Sequence, residues 1–207
     1  MKTLAKLATL AFLCLWTCHP ATTTGTSWQT DQWDSGITLV PCTGWSVCGT
    51  FPAYLSGGSI NDLQWTWTAP LTVGTTLSIP FEVVTTGTVS YQGSPNGATT
   101  DTPPYRVTLM LDHANDNSTD VNYRFYCTLP SGTYLLGTAD NKPQVLSCPI
   151  NWQDWTNVDG VTNQAGFLNT IGTLGNINLV FGGNGGLAHG LQVIGKATGE
   201  VGAPTIQ

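Results

Sequence analysis

Tyr105-Arg-Val-Thr-Leu-Met-Leu-Asp-His113, followed after a polar turn by Val121-Asn-Tyr-Arg-Phe-Tyr-Cys127, decides the fold. Successive side chains of a strand point to opposite faces. In the first run Tyr105, Val107, Leu109, Leu111 and His113 share one parity. That parity is mostly apolar and is assigned to the core. Arg106, Thr108, Met110 and Asp112 share the other. In the second run Val121, Tyr123, Phe125 and Cys127 face inward, and Asn122, Arg124 and Tyr126 face out. The segment from Asn115 to Asp120 is long enough for a hairpin connection. If the two strands pair, Arg106 and Arg124 stand on one exposed sheet face beside Tyr126 and Asp112.

Similar short runs recur outward from this pair: Leu63–Thr68, Leu77–Val84, Thr133–Leu136, Val145–Cys148, Ile177–Phe181 and Gly190–Gly195. Their β-branched and aromatic content favours strands, and Gly, Pro, Asn and Thr punctuate them. Asn163–Ile171 alone has the makings of a short helix. Many short strands divided by turns predict an all-β protein, an antiparallel β-sandwich of jelly-roll-like form.

Composition narrows the function. Only 9% of the 207 residues are charged, with 6 Lys+Arg against 12 Asp+Glu and a net charge of −6. Nothing here would neutralise phosphates, so nucleic acid is excluded as a partner, and an anionic membrane surface is disfavoured for the same reason. The 8 Trp, 6 Tyr and 6 Phe supply ample material for a core.

Residues 1–21 read as a secretory signal, with Lys2 and Lys6 ahead of the apolar stretch Leu7–Trp16 and cleavage somewhere between 18 and 25. Ten apolar residues are too few to span a bilayer. Residues 22–207 then suit one β-sandwich domain, with a loosely ordered Thr-rich start over 22–35. No membrane association is expected once the signal is gone. Removal of the signal leaves Cys42, Cys48, Cys127 and Cys148. Four cysteines in a secreted chain imply two disulfides, and three pairings are possible. The most local, Cys42–Cys48 with Cys127–Cys148, is preferred. Asn117-Ser-Thr is a glycosylation acceptor.

The aromatics point to a ligand. Sugar rings present C–H faces that stack on aromatic planes, and amides serve the hydroxyls. Asn151-Trp152-Gln-Asp154-Trp155 interleaves two tryptophans with such groups, in a loop-like segment. Trp152, Trp155, Asn151 and Asp154 are therefore the first candidate glycan-binding set. Arg124 and Tyr126, on the sheet face described above, are the second. Trp65 and Trp67, two apart on a strand, are assigned to the core.

Catalytic and metal patterns are weaker. Asp112–Asp120 is rich in oxygen ligands but lacks a calcium-loop pattern, and reads as a solvated hairpin tip. Phe181-Gly-Gly-Asn-Gly-Gly186 precedes no helix and reads as a tight turn. Glu82 lies in mid-strand, and a glycosidase would need a carboxylate pair. A polysaccharide lyase would draw on His113, Tyr105, Arg106 and Arg124, but alternation places Arg106 and His113 on opposite faces. A copper site built on His19 as a new N-terminus, with His113 or His189, would require cleavage after Cys18. No catalytic residue, metal or cofactor is assigned.

The acidic, Thr/Gly/Asn-rich, sparsely charged mature chain resembles secreted fungal carbohydrate-associated β-sandwich proteins, and carbohydrate-binding jelly-roll modules generally. The resemblance is one of composition and architecture, and it carries over no functional residue. It implies an extracellular, non-catalytic module whose partner is a polysaccharide or other glycan, such as that of cell walls. The alternatives are a polysaccharide-active enzyme of lyase or copper type, and a structural or effector-like protein whose ligand is another protein.

Overall fold

A computed structural model describes residues 27–30, 37–51, 62–93, 102–116, 120–183 and 191–207. The signal segment, the Thr-rich start apart from residues 27–30, Asn117, His19 and His189 lie outside these residues. The chain forms two antiparallel sheets packed face to face, the expected jelly-roll-like sandwich.

The first sheet runs in the order β1 (Trp28–Thr30), β4 (Asp62–Thr66), β11 (Leu174–Gly182), β6 (Arg106–His113), β7 (Arg124–Cys127) and β10 (Trp155–Thr156). Strand β8 (Thr133–Leu135) also pairs with β6. The second sheet runs β13 (Thr205–Ile206), β5 (Thr76–Gly93), β12 (Leu191–Val201), β3 (Val47–Thr50) and β2 (Thr38–Val40). Strand β9 (Gln144–Pro149) also pairs with β5.

Alternation builds the core as anticipated. Leu77, Ile79, Phe81 and Val83 of β5 are fully buried, as are Val107, Leu109 and Leu111 of β6 and Ile177, Leu179 and Phe181 of β11. Phe81 meets Phe181 edge-on across the sheets, with ring centroids 6.4 Å apart. Trp65 and Trp67 are core residues, and Trp65 packs edge-on against Trp28 at 5.5 Å. Trp28 Nε1 donates to the Gly202 carbonyl at 2.9 Å, joining the two sheets. Strand β5 is 18 residues long, well beyond Leu77–Val84, because its second half pairs with the start of β12. A bulge between Ile194 and Lys196 bends β12 at Gly195, whose φ is +112°. A Cβ there would lie 2.6 Å from the Thr88 carbonyl, so glycine is required.

Both disulfides pair as expected, Cys42–Cys48 and Cys127–Cys148. The second links β7 of one sheet to β9 of the other. The short helix α1 (Gln164–Gly172) begins at Asn163, whose side chain accepts from the Gly166 N–H at 3.1 Å. Its buried residues Phe167, Thr170 and Ile171 face the sandwich. Among the described residues no helix is long and apolar enough to cross a membrane.

Candidate functional site

The stretch Asn151–Trp155 is a single 3-10 turn over Trp152–Asp154 that runs directly into β10. Asn151 Nδ2 donates to Asp154 Oδ2 at 3.3 Å, and the Asp154 carbonyl accepts from the Thr128 N–H and hydroxyl. These two residues brace the turn. The two tryptophans separate. Trp155 pairs opposite Cys127 on β7, and that pairing turns its ring into the core, where it is fully buried. Its Nε1 donates to the Pro149 carbonyl at 2.7 Å, and its ring lies 6.0 Å from that of Phe167. The two-ring platform is thus corrected: Trp155 presents no face to a ligand.

Trp152 is half-buried and lines an open groove of about 620 Å³ between the 3-10 turn and α1. Val161, Thr162, Gln164 and Leu168 form its other wall. Asn122 ties that wall down. Its Oδ1 accepts from Asn163 Nδ2 at 2.7 Å and from Asn157 Nδ2 at 3.3 Å, and its carbonyl accepts from the Thr170 hydroxyl at 3.1 Å. Asn157 Oδ1 in turn accepts the Asp159 and Val161 N–H groups. These amides are committed to the scaffold, whereas Gln164, Thr162 and Leu168 are exposed. No charged side chain lines the groove among the described residues. The sequence signal for this wall was the apolar residue Leu168 on the outer side of a short helix, which the Trp-centred reading passed over.

The second candidate face forms by the expected pairing. Met110 lies opposite Tyr126 and Asp112 opposite Arg124. Strands β11 and β4 extend these rows, placing Asn176 and Thr66 beside Asp112, and Asn178 and Gln64 beside Met110. The expected exposure is corrected. Tyr126 is 1% exposed and forms a separate apolar cluster with Met110 and Val180. Arg124 is partly buried and paired to Asp116 at 3.3 Å. Alternation sorts side chains between faces, but it does not say whether a face meets water.

This face also concentrates unmet polarity. Asn178 is fully buried, and neither its amide oxygen nor its nitrogen has a hydrogen-bond partner among the described residues. Thr108 Oγ1 and Asp112 Oδ1 are in the same position. Each such group costs about 1–3 kcal/mol of desolvation. Burial, with the negative charge of Asp116 next in weight, pushes the Asp112 carboxyl up to about 7, against the opposing effects of a bond to Asn176 and of Arg124. Burial likewise pushes the Tyr126 phenol up to about 12.

The remaining candidates are dispersed. His113 Nδ1 accepts the Asn115 N–H at 3.0 Å, and its ring stacks on Tyr123 at 4.3 Å. It lies on the opposite face of β6 from Arg106, so a lyase set is not assembled. Within Asp112–Asp120, Asp112 is buried in the sheet, Asp116 pairs with Arg124, and Asp120 Oδ1 accepts the Asn122 N–H at 2.9 Å. Among the described residues no group of three or more His, Cys, Asp or Glu is placed to hold a metal ion. Glu82 and Glu200, the two glutamates of the chain, face each other across β5 and β12. Partial desolvation, and then Glu200, raise the Glu82 carboxyl. No family model and no curated protein matches the chain.

Proposed function

We propose that this chain is an extracellular, non-catalytic glycan-binding module, and that Trp152 stacks a sugar ring in the groove against α1. The observation that carries this reading is the groove itself. It is open, uncharged among its described residues, walled by one indole, and rimmed by the exposed amide of Gln164 and hydroxyl of Thr162. Such a lining suits a neutral, hydroxyl-rich ligand with an apolar face. The scaffold amides hold the wall in place, so binding orders little that is not already ordered. The apolar N-terminal stretch and the two disulfides support an oxidising, extracellular location, with Asn117 as its glycan acceptor.

The test is retention of the secreted protein on a panel of insoluble polysaccharides. A stacked ring contributes on the order of 1 kcal/mol. Trp152→Ala is therefore expected to weaken retention about fivefold and leave the melting temperature nearly unchanged. If the wild type is retained by no polysaccharide, the reading fails and a protein partner takes its place. A second reading, a polysaccharide-active enzyme, is favoured by Asp112, a buried carboxyl beside Tyr126 and Arg124 that titrates near neutrality. Release of soluble sugar by the wild type but not by Asp112→Asn would establish it.

A further inference from the structure

We propose that a second groove, between β8 and the loop leading to β9, binds the carboxylate of an acidic sugar, which makes the ligand a uronate-containing glycan. This rests on the glycan-binding reading and names the sugar class.

The groove has a volume of about 540 Å³ and is lined by both Arg106 and Lys142. The whole chain has only 6 Lys+Arg, and two of those precede residue 7. Half of the remaining cations thus meet in one depression, and no Asp or Glu is among its described lining. In a chain with 12 carboxylates a cation readily finds an acidic partner, as Arg124 does in Asp116. Among the described residues Arg106 and Lys142 do not. Arg106 Nε is buried and has no acceptor among the described residues. Lys142 Nζ donates to the Thr138 carbonyl at 3.1 Å, which leaves donors to spare. Asp140 is near in sequence but committed elsewhere: its Oδ1 accepts the Gly137 N–H at 3.0 Å and its Oδ2 the Tyr91 hydroxyl at 2.6 Å.

The guanidinium offers a planar fork that matches a carboxylate, and the ammonium adds a second charge. The volume is in the range of small-molecule sites and far exceeds an inorganic anion. Arg106 pairs opposite Leu135 across β6 and β8. Leu135 is 42% exposed, so an apolar face lies directly beside the cation. Thr133, Thr138 and Gln144 add hydroxyl and amide groups to the same lining. A carboxylate, ring hydroxyls and a C–H face are what a uronate combines.

The test is titration of the full secreted chain with short oligogalacturonate, its methyl ester, a neutral oligoglucan and an acidic oligoglutamate peptide, at about 0.15 M salt, where distant charges are screened. The acid is expected to bind at least tenfold more tightly than its ester. Lys142→Gln weakens that binding about five- to tenfold and Arg106→Gln abolishes it, whereas Lys196→Gln leaves it unchanged. If Arg106→Gln does not fold, the exposed Lys142→Gln carries the test. Equal binding of acid and ester overturns the proposal, as does equal loss in Lys142→Gln and Lys196→Gln. Tighter binding of oligoglutamate overturns it in favour of an acidic protein partner. Retention of the neutral glucan without binding of the uronate sinks this proposal alone, whereas loss of both sinks the glycan reading.

Discussion

Asp112→Asn should stabilise the protein, and by an amount that depends on pH. The carboxyl is raised from its ordinary 3.8 to about 7, chiefly by burial between β11 and β7. A raised carboxyl pKa means that the fold disfavours the charged form. The cost is absent below the unfolded pKa, grows between about pH 4 and pH 7, and is constant above that. The difference, about 3 pKa units at 1.36 kcal/mol each, sets the cost at about 4 kcal/mol. The amide keeps the shape and the contact with Asn176 but carries no charge, so it escapes this cost. For a chain of this length about 4 kcal/mol corresponds to a melting temperature higher by about 8–16 °C. The assay is thermal unfolding of wild type and Asp112→Asn from pH 4 to pH 8.5. The two curves should lie close at pH 4 and diverge steadily to pH 7. A difference that does not change with pH would refute the reasoning, as would a variant less stable than wild type at pH 8.

Trp155→Ala should cost about 3–5 kcal/mol of stability, because it deletes a fully buried ring and one of the two hydrogen bonds to the Pro149 carbonyl, leaving only that of the Asn151 N–H. Trp152→Ala should cost far less, and denaturant unfolding of the two side by side checks the contrast. Replacing Cys127 and Cys148 with Ala opens a loop spanning 21 residues and links the sheets no longer, a loss of roughly 3 kcal/mol on the chain-entropy model. Non-reducing peptide mapping that found Cys48 joined to Cys127 would reject the pairing itself. Glu82→Gln should stabilise by a few tenths of a kcal/mol at pH 7 by relieving the opposed pair with Glu200. Because the Glu82 carboxyl is raised in the fold, the repulsion is present at neutral pH and relieved on acidification, so the gain should vanish below about pH 4.

The amino-acid sequence alone reveals the layered architecture. A period of two along Tyr105–His113 and Val121–Cys127 fixes which residues share a face, and that assignment carried through to the Met110–Tyr126 and Asp112–Arg124 rows. It also supplied the disulfide pairing, since the two shortest closures are the ones formed, and the helix at Asn163, since an Asn side chain can cap the first turn. These are local properties, set by stereochemistry within a few residues. Three results needed the tertiary structure. Trp152 and Trp155 have the same chemistry and nearly the same neighbours, yet one is half-buried at a groove and the other is in the core, because β10 pairs with β7 at Trp155 and not before it. The middle of the outward face of the first sheet is buried although it carries Thr108, Asp112 and Asn178, and polarity alone predicted water there. Arg106 and Lys142 meet although 35 residues separate them, because β8 and the loop after it lie along β6. Burial and convergence are properties of what packs over a residue from elsewhere in the chain, and no local pattern encodes that.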